Sequence, residues 1–177
     1  MPALTAPALV AAALLALAGA QKLLDPIMTV GALRALGLPA RSGWVRAGSG
    51  VELGLGLAAI TVGGALVWWL VALSYGAFGV FVVLARRSGT MIGSCGCFGR
   101  DETPPHPIHV ALDVFLAGVA VVMAGWSSAP PLAALVASPG LAVVIVALSA
   151  LALVLLYAAF VDLPRALSVA RTAGVSR

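Results

Sequence analysis

The chain is 177 residues long, 62% hydrophobic and 9% charged, with a mean hydropathy of +1.13. A single soluble core of that size cannot enclose so much apolar surface, so the composition excludes a soluble globular protein and indicates an integral membrane protein. The net charge of +4 and pI near 9.8 do not indicate nucleic-acid binding: the ten Lys and Arg residues fall in three separated segments without interleaved aromatics, as membrane-flanking charges do.

Residues 3–20 form an uncharged apolar run long enough to cross a hydrocarbon core at about 1.5 Å per residue, closed by Gln21, Lys22 and Asp25-Pro26. This is the first predicted span. Ala18-Gly19-Ala20 resembles a signal-peptidase site, but no positive segment precedes the run, so it is read as a retained helix. Residues 27–48 mix apolar positions with Arg34, Arg41 and Arg46 around Pro39, which predicts a short interfacial helix and a loop. Between Arg46 and Arg86 lies one charge, Glu52, with Gly63-Gly64 near the middle, the pattern of a helical hairpin. The second span carries Gly54, Gly56, Ala58 and Ala59, small residues that let helices approach closely. The third, over about 65–85, begins near Trp68-Trp69, read as interfacial anchors, and holds Tyr75, read as an interhelical hydrogen-bonding residue. A fourth span is expected over 108–126 and a fifth over 140–161, followed by a basic tail.

Five spans put every Lys and Arg on one side of the membrane and none on the other. The positive-inside rule then predicts a plasma (inner) membrane protein with the N terminus outside, and with the C terminus and the link between spans three and four in the cytoplasm.

That link carries the chain's chemistry. Both cysteines, Cys95 and Cys97, lie in Gly93-Ser94-Cys95-Gly96-Cys97-Phe98-Gly99-Arg100-Asp101-Glu102. Gly96 permits backbone angles that would bring the two thiols within disulfide range, and the small ring so formed would be strained and readily reduced. Such a pair suits cycling between dithiol and disulfide, and a reducing cytoplasm favours a transient bond over a permanent one. Two other readings stand beside it. Cys95, Cys97, His106 and His109 form an S2N2 set for tetrahedral metal, though their cysteine spacing is narrower than in usual zinc sites; or the thiols are structural only.

Three ionisable residues near the same membrane face complete the candidates: Lys22 ending the first span, Glu52 early in the second, and Asp113 in the fourth. Ionisable groups in spans face the interior and pair or serve a polar cavity, so Lys22 and Glu52 are the expected pair. Lys22, Arg100 or a protonated His109 would favour a neighbouring thiolate. His109, one helical turn from Asp113, is placed to shuttle a proton with its ring oriented by that carboxylate. In a transport reading, Lys22, Glu52 and Asp113 instead line a pathway for a small molecule or lipid.

Gln21-Lys22-Leu23-Leu24-Asp25-Pro26, Glu52 at the second span, and above all Ser94-Cys95-Gly96-Cys97-Phe98-Gly99 resemble the methylamine utilisation protein MauE and related DoxX-like membrane proteins over about residues 4–126. The resemblance implies an all-α four-helix transmembrane bundle over 1–126, with its Cys-X-Cys loop at 93–107. To this the chain adds a fifth C-terminal transmembrane helix within 127–163 and a basic cytoplasmic tail over 164–177. It further implies thiol redox work with a thioredoxin-like partner and, for MauE itself, a part in maturing methylamine dehydrogenase. An asparagine is common in the family where this chain has Asp113. A periplasmic client also sits uneasily with thiols on the cytoplasmic side. The expected activity is thiol-disulfide oxidoreduction at Cys95 and Cys97, with Lys22, Glu52, His109 and Asp113 in support and a quinone as a reasonable electron acceptor in the lipid phase. No residue identifies that quinone.

Overall fold

A computed structural model of the chain describes residues 2–88, 106–126 and 129–175. Its elements are all helices: α1 (Pro2–Leu24), α2 (Ile27–Ala35), α3 (Ser42–Thr61), α4 (Ala65–Arg87), α5 (Pro107–Trp126), α6 (Pro131–Ala137) and α7 (Pro139–Val175). Among the described residues four helical stretches are long and apolar enough to cross a membrane: Leu4–Leu24, Ala65–Arg87, Pro107–Trp126 and Pro139–Phe160. Leu66, Leu73, Val80 and Leu84 recur along the outer face of α4 and are exposed, as are Val143, Leu151 and Leu155 on α7. In water these stripes would be untenable; against acyl chains they are solvated, and the chain is a multi-pass membrane protein.

Two close helix pairs build the bundle, α1 on α3 and α4 on α5, and α7 lies against α1 and α5. The α1–α3 seam is made by residues without bulk. A Cβ added at Gly56 would stand 2.5 Å from the Ala12 carbonyl oxygen, and one at Gly19 would stand 2.6 Å from the Leu53 nitrogen and 3.1 Å from the Glu52 Cβ. Lipid tails are as apolar as leucine, so dispersion at such close approach, more than water exclusion, holds the pair together. Gly54, which points away from any neighbour, takes no part. Across the bundle the Tyr75 hydroxyl donates to the Ala11 carbonyl oxygen at 2.6 Å, tying α4 to α1 as expected.

Several local expectations are corrected. Residues 42–48 belong to α3 and not to a loop, so Glu52 is mid-helix in place of one and a half turns from its start. Their polarity disguised them: with Ser42, Arg46 and five glycines, α3 is not among the candidate spans and holds its place by packing on α1. Trp68 is 0% exposed in the core, whereas Trp69 is 54% exposed, so one of the two expected anchors is a packing residue. A short helix, α6, lies in the link before the last span, and helical backbone continues past Phe160 to Val175. The short helix expected in this stretch is present as α2. It ends in a Schellman motif: Gly37 at φ +77° sends its N–H to the Arg34 carbonyl, and the Leu38 N–H reaches the Leu33 carbonyl. The Arg34 Nε–H then donates to the Ala40 carbonyl oxygen at 3.0 Å, fixing the turn that delivers the chain to α3.

Candidate functional site

At the end of the bundle where α1 and α4 finish and α3 and α5 start, the ammonium of Lys22 forms an ion pair with the Glu52 carboxylate. Lys22 is 3% exposed and the Glu52 side chain 19%. Gly19, one turn before Lys22, removes the side chain that would otherwise hold α3 away, so the α1–α3 seam and the ion pair share one cause. The ammonium also lies over the Phe78 ring, 4.3 Å from its centroid, a cation–π contact strengthened by exclusion of water.

Beside this pair opens a cavity of about 370 Å³ between α2, α3 and α4. Its walls are largely apolar, with Trp44, Phe78 and Phe81 as aromatic faces and Leu33 and Val45 between them, while Lys22 and Glu52 supply its charge. Ser49 also lines it, but its hydroxyl donates to the Val45 carbonyl oxygen at 2.7 Å. At the rim Arg41 lies 5.9 Å from the Trp44 ring. A concave, mostly apolar chamber with a few convergent polar groups is the usual form of a small-molecule site.

The second polar cluster lies deeper, on α5. His109 is 0% exposed and Asp113 2%. The Nε2 of His109 is 2.8 Å from the Phe160 carbonyl oxygen, and since a carbonyl can only accept, Nε2 carries the hydrogen. Its Nδ1 accepts the His106 backbone N–H at 3.4 Å, so the ring is neutral with both nitrogens used. Phe160 stacks on the same ring at 5.6 Å and 11°. The cause is legible four residues on: helix α7 contains Pro164, which has no N–H to give to the Phe160 carbonyl, and His109 provides the missing donor from α5. Nearby, Gln21 Nε2 donates to the Tyr157 hydroxyl oxygen at 3.4 Å, a second link from α7 to the Lys22 end of α1. His106 caps α5, its Nδ1 accepting the Ile108 N–H at 3.3 Å ahead of Pro107 at the first helical position.

The two clusters are not one chamber. Asp113 borders a separate void of about 10 Å³ together with Leu14, Tyr75 and Phe160, and Phe78 lines both spaces. Phe78 was not singled out from sequence; its signal is the buried face of α4, where Val71, Tyr75 and Val82 recur at helical spacing around it. Cys95 and Cys97 lie outside the described residues, as does Arg100. Among the described residues no group of three or more His, Cys, Asp and Glu is arranged to hold a metal, and both ring nitrogens of His109 are engaged in protein hydrogen bonds.

A family model described as Methylamine utilisation protein MauE matches residues 1–127. No curated protein and no solved structure matches the chain.

Proposed function

The chain belongs to the MauE family of methylamine utilisation proteins, and on that premise we propose that it is a thiol-disulfide redox protein of the plasma membrane, working through Cys95 and Cys97. The observation that carries the reading is the placing of both thiols, one residue apart, in the segment that joins the end of α4 to the start of α5. Those attachment points lie at the same end of the bundle as the Lys22–Glu52 pair and its cavity. One thiolate attacks a disulfide of a thioredoxin-like partner; the mixed disulfide is resolved by the second thiol, leaving the partner as a dithiol and Cys95–Cys97 as a disulfide. The reverse sequence oxidises a partner dithiol. In sequence Arg86, Arg87 and Arg100 bracket the two thiols, and positive charge at that position favours the thiolate that does the attacking.

The distribution of charge supports a cytoplasmic side for this end. Lys22, Arg34, Arg41, Arg46, Arg86 and Arg87 all belong to it, whereas the Gly63-Gly64 turn and the α5–α6 link at the opposite end carry no Lys or Arg. A disulfide formed in that compartment is short-lived, as an intermediate should be. For electrons leaving into the bilayer, a quinone is the fitting acceptor. The cavity residues suit one: Phe78 and Phe81 offer ring faces, and the Lys22 ammonium is a hydrogen-bond donor set among them.

The test is trapping. Cys95→Ser and Cys97→Ser variants are expressed separately in cells, mixed disulfides are captured by acid quenching, and the attached protein is identified. Recovery of a thioredoxin-fold partner with the variant that keeps only the attacking sulfur is expected. Wild-type thiols that stay in one oxidation state across the physiological range of potentials would overturn the reading.

A further inference from the structure

The geometry points to the α2–α3–α4 cavity as the binding site of a lipid-soluble quinone, its ring between the aromatic walls and one carbonyl oxygen accepting a hydrogen bond from Lys22. The assignment rests on the redox reading for its physiological meaning, though binding itself requires neither cysteine.

Charge, shape and place support it independently. The interior holds one ammonium and one carboxylate already paired, so it carries no net charge to draw in an anion or a cation, and a neutral occupant fits. An acyl chain would leave that pair facing a group with no acceptor. A quinone supplies acceptors at the edge of a flat ring, and Trp44, Phe78 and Phe81 supply flat faces for it. About 370 Å³ is within the span of small-molecule sites, roughly 300–1,000 Å³. Trp44 lines the cavity and is itself 64% exposed, and the neighbouring α2 presents Ile27 outward at 70% exposure, so the mouth opens beside exposed apolar side chains, as entry from a bilayer requires. The net exchange closes without a further reactant. Two thiols that become a disulfide release two electrons and two protons, and a quinone that takes up both becomes a quinol.

The protein is reconstituted in phosphatidylcholine nanodiscs and irradiated with an azido-ubiquinone analogue, and the labelled peptides are mapped by mass spectrometry. We expect label within residues 42–52 or 77–81, displaced by unlabelled decylubiquinone, in both the wild type and a Cys95→Ser/Cys97→Ser variant. The Lys22→Met/Glu52→Leu double variant, which removes donor and carboxylate together, should weaken displacement about ten-fold. Phe81→Ala, which touches no charge, should weaken it as well. Label placed elsewhere, label not displaced by decylubiquinone, or displacement by palmitate or phosphatidylglycerol as effective as by quinone would each overturn the assignment. If the cysteine variants trap no partner while labelling persists, the redox reading fails and the binding site stands.

Discussion

Removing Glu52 should cost the protein more than removing Lys22, although the two form a single ion pair. Lys22 is 3% exposed, enclosed by α1, α3 and the Phe78 ring, so Glu52→Leu strands an ammonium with little access to water. Breaking a buried pair from one side costs about 3–5 kcal/mol. The Glu52 side chain is 19% exposed and borders the cavity, so after Lys22→Met the orphaned carboxylate can recover part of its hydration, and about 1–3 kcal/mol is expected. The double variant replaces both charges by apolar groups of similar length and should lie close to the wild type, because neither charge is left behind. The coupling energy of the cycle is then at least about 4 kcal/mol, the sum of the two single costs. Reversible unfolding by SDS in mixed micelles, followed by tryptophan fluorescence, measures all four proteins. Additive single effects, or a Lys22→Met variant less stable than Glu52→Leu, would refute this account of the pair.

The α1–α3 seam predicts a contrast between two glycines on one helix: Gly56→Leu, whose Cβ would meet the Ala12 carbonyl oxygen at 2.5 Å, should lower stability in the same assay by about 3 kcal/mol or more, while Gly54→Leu, with open space around it, should change little. The link between α5 and α7 predicts a rescue. His109→Leu leaves the Phe160 carbonyl without its donor and should cost about 1–3 kcal/mol. In a Pro164→Ala background, where the helix can again supply its own N–H, most of that cost should disappear, and an equal cost in both backgrounds would sink the explanation.

Spans were readable because hydrophobic run length and glycine punctuation are local: Gly63 and Gly64, both at positive φ, do turn the hairpin. The Lys22–Glu52 pairing was readable too, since an isolated charge in each of two adjacent helices has few other places to go. Where α3 begins was not, because its first two turns are polar and glycine-rich and their buried residue, Val45, packs against Val30 of α2 and Ala40. Nor was the inward position of Trp68, for an indole near a span end fits the interface and the core equally well by composition. The cavity could not be read at all: besides Trp44 on α3 and Phe78 and Phe81 on α4, its walls need Leu33 of α2, which the Gly37 turn sets beside α3. His109 had an evident chemical repertoire, and the partner that occupies it is a main-chain carbonyl 51 residues away.

That carbonyl has an evolutionary corollary. The family match stops at residue 127, whereas Phe160 and Pro164 belong to α7, beyond it. A homologue that ends after its fourth span has no such acceptor to offer, and an imidazole at the equivalent of position 109 would there lack this partner. Imidazole, proline and extra helix should therefore be inherited or lost as a set, and shorter relatives should carry an aliphatic residue at that point.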